Sequence, residues 1–190
     1  MAAHIPDHAE RTAELIDRLG RVARELRYEA GLNPAQWQAL RYLARANRSS
    51  RTPGALAAFL GTTKGTASQT LISLESKGYL RRVRSEPDRR KVRLDLTPDG
   101  NALLAEDPIS GIEQVAAELP PELGTQLVHG LSRLLGGLQR RYGGREFGVC
   151  RTCGMFRDGD DEAPCGGRCG LTGQEIEPGD DGRLCANHRP

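Results

Sequence analysis

Two stretches of this 190-residue chain carry residues whose types and spacing can do chemistry. The first runs from Lys77 to Arg93. It holds eight basic residues, Lys77, Arg81, Arg82, Arg84, Arg89, Arg90, Lys91 and Arg93, opposed only by Glu86 and Asp88, a local balance of eight minus two, or +6. The whole chain carries +2, so the positive charge is concentrated here. Crowded like charges repel, and a polyanion relieves that repulsion while counterions are released. The chemistry implied is phosphate neutralisation. Taken alone, the run is better read as a solvated edge hairpin that uses charge against aggregation.

The second stretch is the tail. All five cysteines lie beyond residue 149, in the pattern Cys150-x2-Cys153, Cys165-x3-Cys169 and Cys185-x2-His188. Thiolate and imidazole groups at such spacing suit tetrahedral zinc. Thiolates also suit an iron–sulfur cluster or a reversible dithiol switch. The intervening segment is rich in Gly, Asp and Glu, so it has little apolar surface with which to offset its ordering entropy. Metal ligation supplies folding energy in such small units. Cys150 and Cys153 form one half-site, and the other half comes from among Cys165, Cys169, Cys185 and His188. A thiol oxidoreductase would place Cys-x-x-Cys at a strand-to-helix junction of a βαβ unit. Here it follows "YGGREFGV" with no such unit, so no enzyme is expected.

The elements that position the basic run read clearly. Residues 8–30 predict a helix, with Leu15, Leu19, Val22 and Leu26 on one stripe. "GLNPAQ" starts the next, with Asn33 as cap, Pro34 at the first position and Gln36 completing a capping box; Trp37, Leu40 and Leu43 face inward. In "RTPGALAAFLG" Thr52 caps and Pro53 follows. "TTKGTASQTLISLESKGYL" is a further helix that turns Ala67, Leu71 and Leu74 inward and closes at Gly78. These two short helices, joined by "LGTT", make a helix-turn-helix. After Gly78 the period changes to two. "YLRRVR" and "VRLDLT" predict strands, with "SEPDRRK" as their arginine-rich tip. Thr97 caps a helical run over 98–117 that Pro108 kinks or splits. Leu127, Leu131, Leu134 and Leu138 stripe a last helix that ends at Gly143 and Gly144. Periodicity leaves open whether the first and last stripes are buried within one chain or between two.

A hairpin directly after a helix-turn-helix is a winged helix. Its second helix fits the major groove, and a side chain from the wing tip can enter the adjacent minor groove. Double-stranded DNA is therefore the expected partner. Hydrophobic content of 37% with only 4% aromatics fits a helical protein with an Ala/Leu core. No apolar run approaches the ~20 residues of a membrane span, and the N-terminus has no secretory core. A cytoplasmic protein without membrane association is expected.

At this point the residues resemble the MarR family of winged-helix transcriptional regulators. The strongest likeness is "DRRKVRLDLTPDG", Asp88 to Gly100, which is similar to the family's wing and following "LT-x-x-G". "LGTTKGTASQTLISLESKGYLRR" resembles its recognition helix and first wing strand, and "QWQALRYLA" its second helix; the likeness as a whole covers about residues 10–142. The resemblance implies a mainly α protein with a small β-hairpin wing: an N-terminal dimerisation helix (1–32), a winged helix-turn-helix (33–97), C-terminal dimerisation helices (98–144) and a cysteine-rich knuckle (149–190). It implies a homodimer on a pseudo-palindromic operator, usually repressing. By motif position Thr63, Lys64, Thr66, Ser68 and Gln69 would face the major groove, with Gly65 permitting close approach of backbone to phosphate. Arg90 would be the wing-tip arginine, braced by Asp88 and flanked by Arg89 and Lys91. Family members often respond to a small aromatic effector, for which Trp37 and Tyr42 are the candidate lining residues, although both also fit plain core. Cysteine-rich tails of similar form occur in some relatives and imply zinc on Cys150, Cys153, Cys169 and Cys185. Cys165 is then an extra thiol and His188 a supporting or substitute ligand. A second expectation is a metal or redox sensor whose tail controls DNA binding.

Overall fold

The computed structural model describes residues 7–25, 31–84, 92–158 and 167–189. The wing tip, with Asp88, Arg89, Arg90 and Lys91, lies outside them, as do Leu26 and Cys165.

Local capping fixes where the central helices start. α2 (Pro34–Arg45) begins with both halves of the capping box: Asn33 accepts from the Gln36 amide at 2.9 Å, and the Gln36 side chain accepts from the Asn33 amide at 3.0 Å. Thr52 caps α3 (Pro53–Phe59) and Thr63 caps α4 (Lys64–Ser76), each hydroxyl accepting from the amide three residues on. Each such cap contributes about 0.5–2 kcal/mol. Gly78 stands just past α4 at φ +78°, the left-handed conformation that stops the helix and turns the chain into β1 (Leu80–Arg84). β1 pairs antiparallel with β2 (Val92–Leu96), Leu80 opposite Leu96 and Arg84 opposite Val92.

These pieces close over one core. Trp37, Leu40 and Leu43 from α2, Leu56 from α3, Leu71 and Leu74 from α4, and Leu80 and Leu94 from the strands are all buried in it. Each contributes about 1.5–3 kcal/mol by leaving water. Trp37 and Tyr42 belong to this core, both at 0% exposure, so neither lines an open ligand space. The "LTPDG" turn locks the wing to the next helix, α5 (Pro98–Ala105). Thr97 donates its hydroxyl to the Gly78 carbonyl at 2.6 Å, and Gly100 lies so close to Tyr79 that a Cβ would sit 2.0 Å from its carbonyl oxygen.

The run expected over 98–117 is two helices, α5 and α6 (Ser110–Ala117). Pro108 cannot donate into a continuous helix. Asp107 takes over the corner, accepting the Ile109 amide at 2.9 Å and pairing two-pronged with Arg41 of α2, largely out of solvent.

α1 (Asp7–Glu25) is described to Glu25 rather than the expected residue 30, residues 26–30 being outside the description. α7 (Pro121–Tyr142) ends at Gly143, φ +70°. Their apolar stripes are not buried within the chain. Leu15, Leu19 and Val22 on α1 and Leu127, Leu131, Leu134 and Leu138 on α7 are all exposed, Leu19 by 57%.

The tail folds against the winged helix through four short strands, β3 (Gly148–Val149), β4 (Phe156–Arg157), β5 (Arg168–Cys169) and β6 (Leu184–Cys185), paired β3–β6 and β4–β5.

Candidate functional site

α4 turns Ala67, Leu71 and Leu74 into the core and presents the opposite side to solvent. Lys64, Gly65, Thr66 and Gln69 are exposed and Ser68 is half-buried. The Thr63 hydroxyl is committed to the cap, accepting from the Thr66 amide at 3.2 Å, with the Thr66 hydroxyl 3.0 Å away. No acidic residue lies in the first turn, so this end of the helix keeps the positive pole of its dipole. A Cβ at Gly65 would touch nothing nearer than the Thr63 hydroxyl at 3.7 Å. Nothing within the fold therefore requires glycine here, although glycine costs a helix about 0.5–1 kcal/mol.

The described part of the basic run is less free than its count suggests. Lys77 donates to the Gly31 carbonyl at 2.9 Å. Arg82 lies 3.5 Å from Glu75 of α4, and Arg93 grips Asp95 through two bonds of 3.0 and 2.8 Å. Glu75 and Asp95 fall outside the Lys77–Arg93 window, which is why the linear count missed them. Arg81 and Arg84 have no ion-pair partner among the described residues. The outer face of α4 is not occluded by any of these pairs.

The four described cysteines are free thiols brought together by the tail ladders. Gly148 opposite Cys185 sets Cys185 beside the strand that leads into Cys150, and Phe156 opposite Cys169 sets Cys169 beside the strand that follows Cys153. Each sulfur has a polar neighbour. The Asn187 amide donates to Cys185 and the Arg189 amide to Cys153, both at 3.4 Å, and the Asn47 side-chain amide is 3.9 Å from Cys150. At Cys169 burial raises the thiol pKa, but hydrogen bonds from the Thr172 side chain and the Thr172 and Leu171 backbone outweigh it and the net shift is downward. Cys150 is pushed up to about 11, first by burial and then by Cys185, with Cys153 and Cys169 adding to the rise against the Asn47 amide. All four thus share one electrostatic neighbourhood. As the side chains stand, no three His, Cys, Asp or Glu groups among the described residues are arranged to hold a metal ion. His188 is turned elsewhere, its Nε2 at 3.1 Å from both the hydroxyl and the carbonyl of Thr152.

Sequence reasoning missed the residues that fasten the tail. The Asn47 amide donates to the Leu184 carbonyl at 2.9 Å, and the Ala186 amide donates to the buried Ser50 hydroxyl at 2.9 Å. Phe147 closes an aromatic trio with Tyr42 and Phe59, centroids 6.0 and 5.4 Å away. Asn47 is the joint. It caps the 3-10 turn Arg48–Ser50 with its oxygen while its side-chain nitrogen faces Cys150. The available signal was "ANRSS", an Asx cap with no long helix after it, together with isolated Phe147, Ile176 and Leu184 in a polar tail.

Two short helices in a tight turn, an outward second helix and a two-stranded hairpin define a winged helix. Residues 30–91 match the profile of the MarR family. The solved transcriptional regulator PA3341 is 30% identical, with a TM-score of 0.56, covering 68% of this chain and 98% of its own. Streptococcus pneumoniae FabT, solved in complex with DNA, is 26% identical with a TM-score of 0.55, covering 70% of this chain and 99% of its own. A MarR transcriptional regulator from Methanosarcina mazei Go1, 22% identical at a TM-score of 0.55 and covering 70% and 99%, shares the fold. A comparison with curated protein sequences gives no match. The chain belongs to the MarR family, and its class is transcriptional regulator. Among the described residues no helix is long and apolar enough to cross a membrane.

Proposed function

We propose that this protein is a sequence-specific DNA-binding regulator that works as a homodimer on a pseudo-palindromic operator and represses the genes beside it. The observation that carries the reading is the outer face of α4: Lys64, Gly65, Thr66 and Gln69 stand clear of the protein, and the glycine has no structural reason to be there. Ser68 and the capping Thr63 complete the surface that meets base edges. Arg90 is the residue we propose for the minor groove, with Asp88, Arg89 and Lys91 beside it in sequence assigned to the same contact; all four lie outside the described residues. FabT, which shares the fold, was solved on DNA.

The second copy follows from the uncovered stripes of α1 and α7. Contiguous leucines at such exposure mark an interaction surface. Burying them against their own copies gives a two-fold dimer, which sets its half-sites about one helical turn, ~34 Å, apart.

In the tail, Cys150, Cys153, Cys169 and Cys185 are the residues that would hold zinc. The chemistry of the donor set supports this: four thiols, Cys169 and Cys185 on the tail strands and Cys150 and Cys153 at the turn between β3 and β4, match the ligand number of tetrahedral zinc, although their side chains would have to turn to close on one ion. Zinc would supply folding energy rather than reaction chemistry. A second reading, a metal or redox sensor, is favoured by one contact: Asn47 joins Cys150 to the turn that leads into α3. An iron–sulfur cluster on the same thiolates is the alternative cofactor.

Selection of bound fragments from a random DNA pool, followed by footprinting, tests the main reading. The expected result is a symmetric protected site with two half-sites one turn apart. Unselective binding or an unpaired site overturns it. Elemental analysis of oxygen-free protein separates one zinc per chain from iron. A chelator titration then distinguishes a structural knuckle, which loses tail order alone, from a sensor, whose DNA affinity changes in step.

A further inference from the structure

The tail and the wing enclose a cleft of about 690 Å³, within the ~300–1,000 Å³ range of small-molecule sites. Its walls are the ends of α2, the outer face of the β1–β2 hairpin and the tail loop 177–183. Five arginines line it, Arg48, Arg51, Arg81, Arg93 and Arg183, against three carboxylates, Asp95, Glu177 and Asp180, a balance of five minus three, or +2.

The charges divide into two groups. Arg48 pairs with Glu177, Arg183 stands 3.2 Å from Asp180, and the Arg48 amide donates to Asp180 at 3.0 Å. The Arg48 contacts, with the bond from Arg183 to the Ala44 carbonyl, fasten the loop to the winged helix, the Arg183–Asp180 pair braces the loop itself, and the whole group is explained by that role. The second group is not. Asp95 is a single carboxylate with three arginines around it in the cleft lining. Arg93 is bonded to it in two places, and Arg51 lies 3.9 Å away. Arg81 sits directly opposite Asp95 in the hairpin register. Residues opposite each other in a ladder share a sheet face, so Arg81 stands on the face that carries Asp95. Arg81 has no ion-pair partner among the described residues. The local balance is three minus one, again +2. Two of the three heads are held in place: the Arg51 Nε donates to the Ala46 carbonyl at 3.1 Å, and Arg93 is fixed by its two bonds to Asp95. Guanidinium groups fixed in advance bind planar oxyanions at low entropic cost.

We propose that this cleft binds a small dianionic oxyanion, a dicarboxylate or phosphate compound, seated between Arg81, Arg93 and Arg51. The site depends on the tail for one wall and is separate from the outer face of α4 and from the buried surroundings of Trp37 and Tyr42. It does not rest on the DNA reading.

Calorimetric titration of the full chain with inorganic phosphate, pyrophosphate and citrate, at constant ionic strength and without DNA, tests it. Saturable binding of at least one probe is expected. Arg81→Ala should weaken that binding about tenfold or more, while Arg84→Ala, on the same strand but outside the cleft, should leave it unchanged. Equal melting temperatures for the two variants exclude a folding artefact. No saturable binding up to about 10 mM, or equal affinity in Arg81→Ala, overturns the proposal. So does a loss of DNA affinity in Arg81→Ala without binding of any probe, which would make the cleft a seat for duplex phosphate.

Discussion

The winged helix and the tail are held together by opposite means. The winged helix rests on large apolar side chains from α2, α3, α4 and the hairpin, all closed over one core. The tail buries little beyond Cys150, Ile176 and Cys185 of its own and borrows the rest, Ala186 entering the neighbouring core and Phe147 meeting Tyr42 edge to face. A unit with so little apolar burial depends on its attachments and on whatever its thiolates hold. The comparison teaches that the tail is an accessory to the α2–α3 corner rather than an independent domain.

Asp107→Ala removes the partner of the largely buried Arg41 and should cost the winged helix about 3–5 kcal/mol, measured by urea denaturation. A loss under about 1 kcal/mol would mean that the α5–α6 corner is not anchored there. Next, Asn47→Ala removes both the cap of the 3-10 turn and the amide facing Cys150. Global stability should fall by about 0.5–2 kcal/mol. Hydrogen exchange at the Asn187 and Arg189 amides should accelerate more than exchange in α2. Uniform acceleration would contradict the view of the tail as the weaker unit. The smallest effect sharpens the functional side. Gly65→Ala should raise stability by about 0.5–1 kcal/mol, because a methyl group meets only the Thr63 hydroxyl at contact distance, yet lower DNA affinity. Unchanged affinity would remove close DNA approach as the reason for glycine at this position.

What the sequence made legible was local. Asn33 with Gln36, Thr52 and Thr97 before prolines, and Gly78 after α4 are decided by atoms within four residues, and all stand as expected. The hairpin was legible because its period differs from that of the helices. Three things were not. The α1 and α7 stripes have the same periodicity whether covered by their own chain or another, so exposure had to be seen. The pairs Arg82–Glu75 and Arg93–Asp95 depend on helix–strand packing and on which face of a strand a side chain takes. The docking of the tail joins residues over a hundred positions apart, as in Asn47 to Cys150, and no spacing rule reaches that far. Composition suggested a tail unable to order itself without metal; the structure adds a second support, the surface of the winged helix.

If the hairpin and α4 grip duplex DNA together, the affinity for a selected DNA site, measured against salt in wild type and in Arg90→Ala, falls with a steep negative slope of log affinity on log salt for wild type, and the variant loses about 1–3 kcal/mol. A wild-type slope near zero, or a variant that binds as tightly as wild type at every salt concentration, rules that grip out.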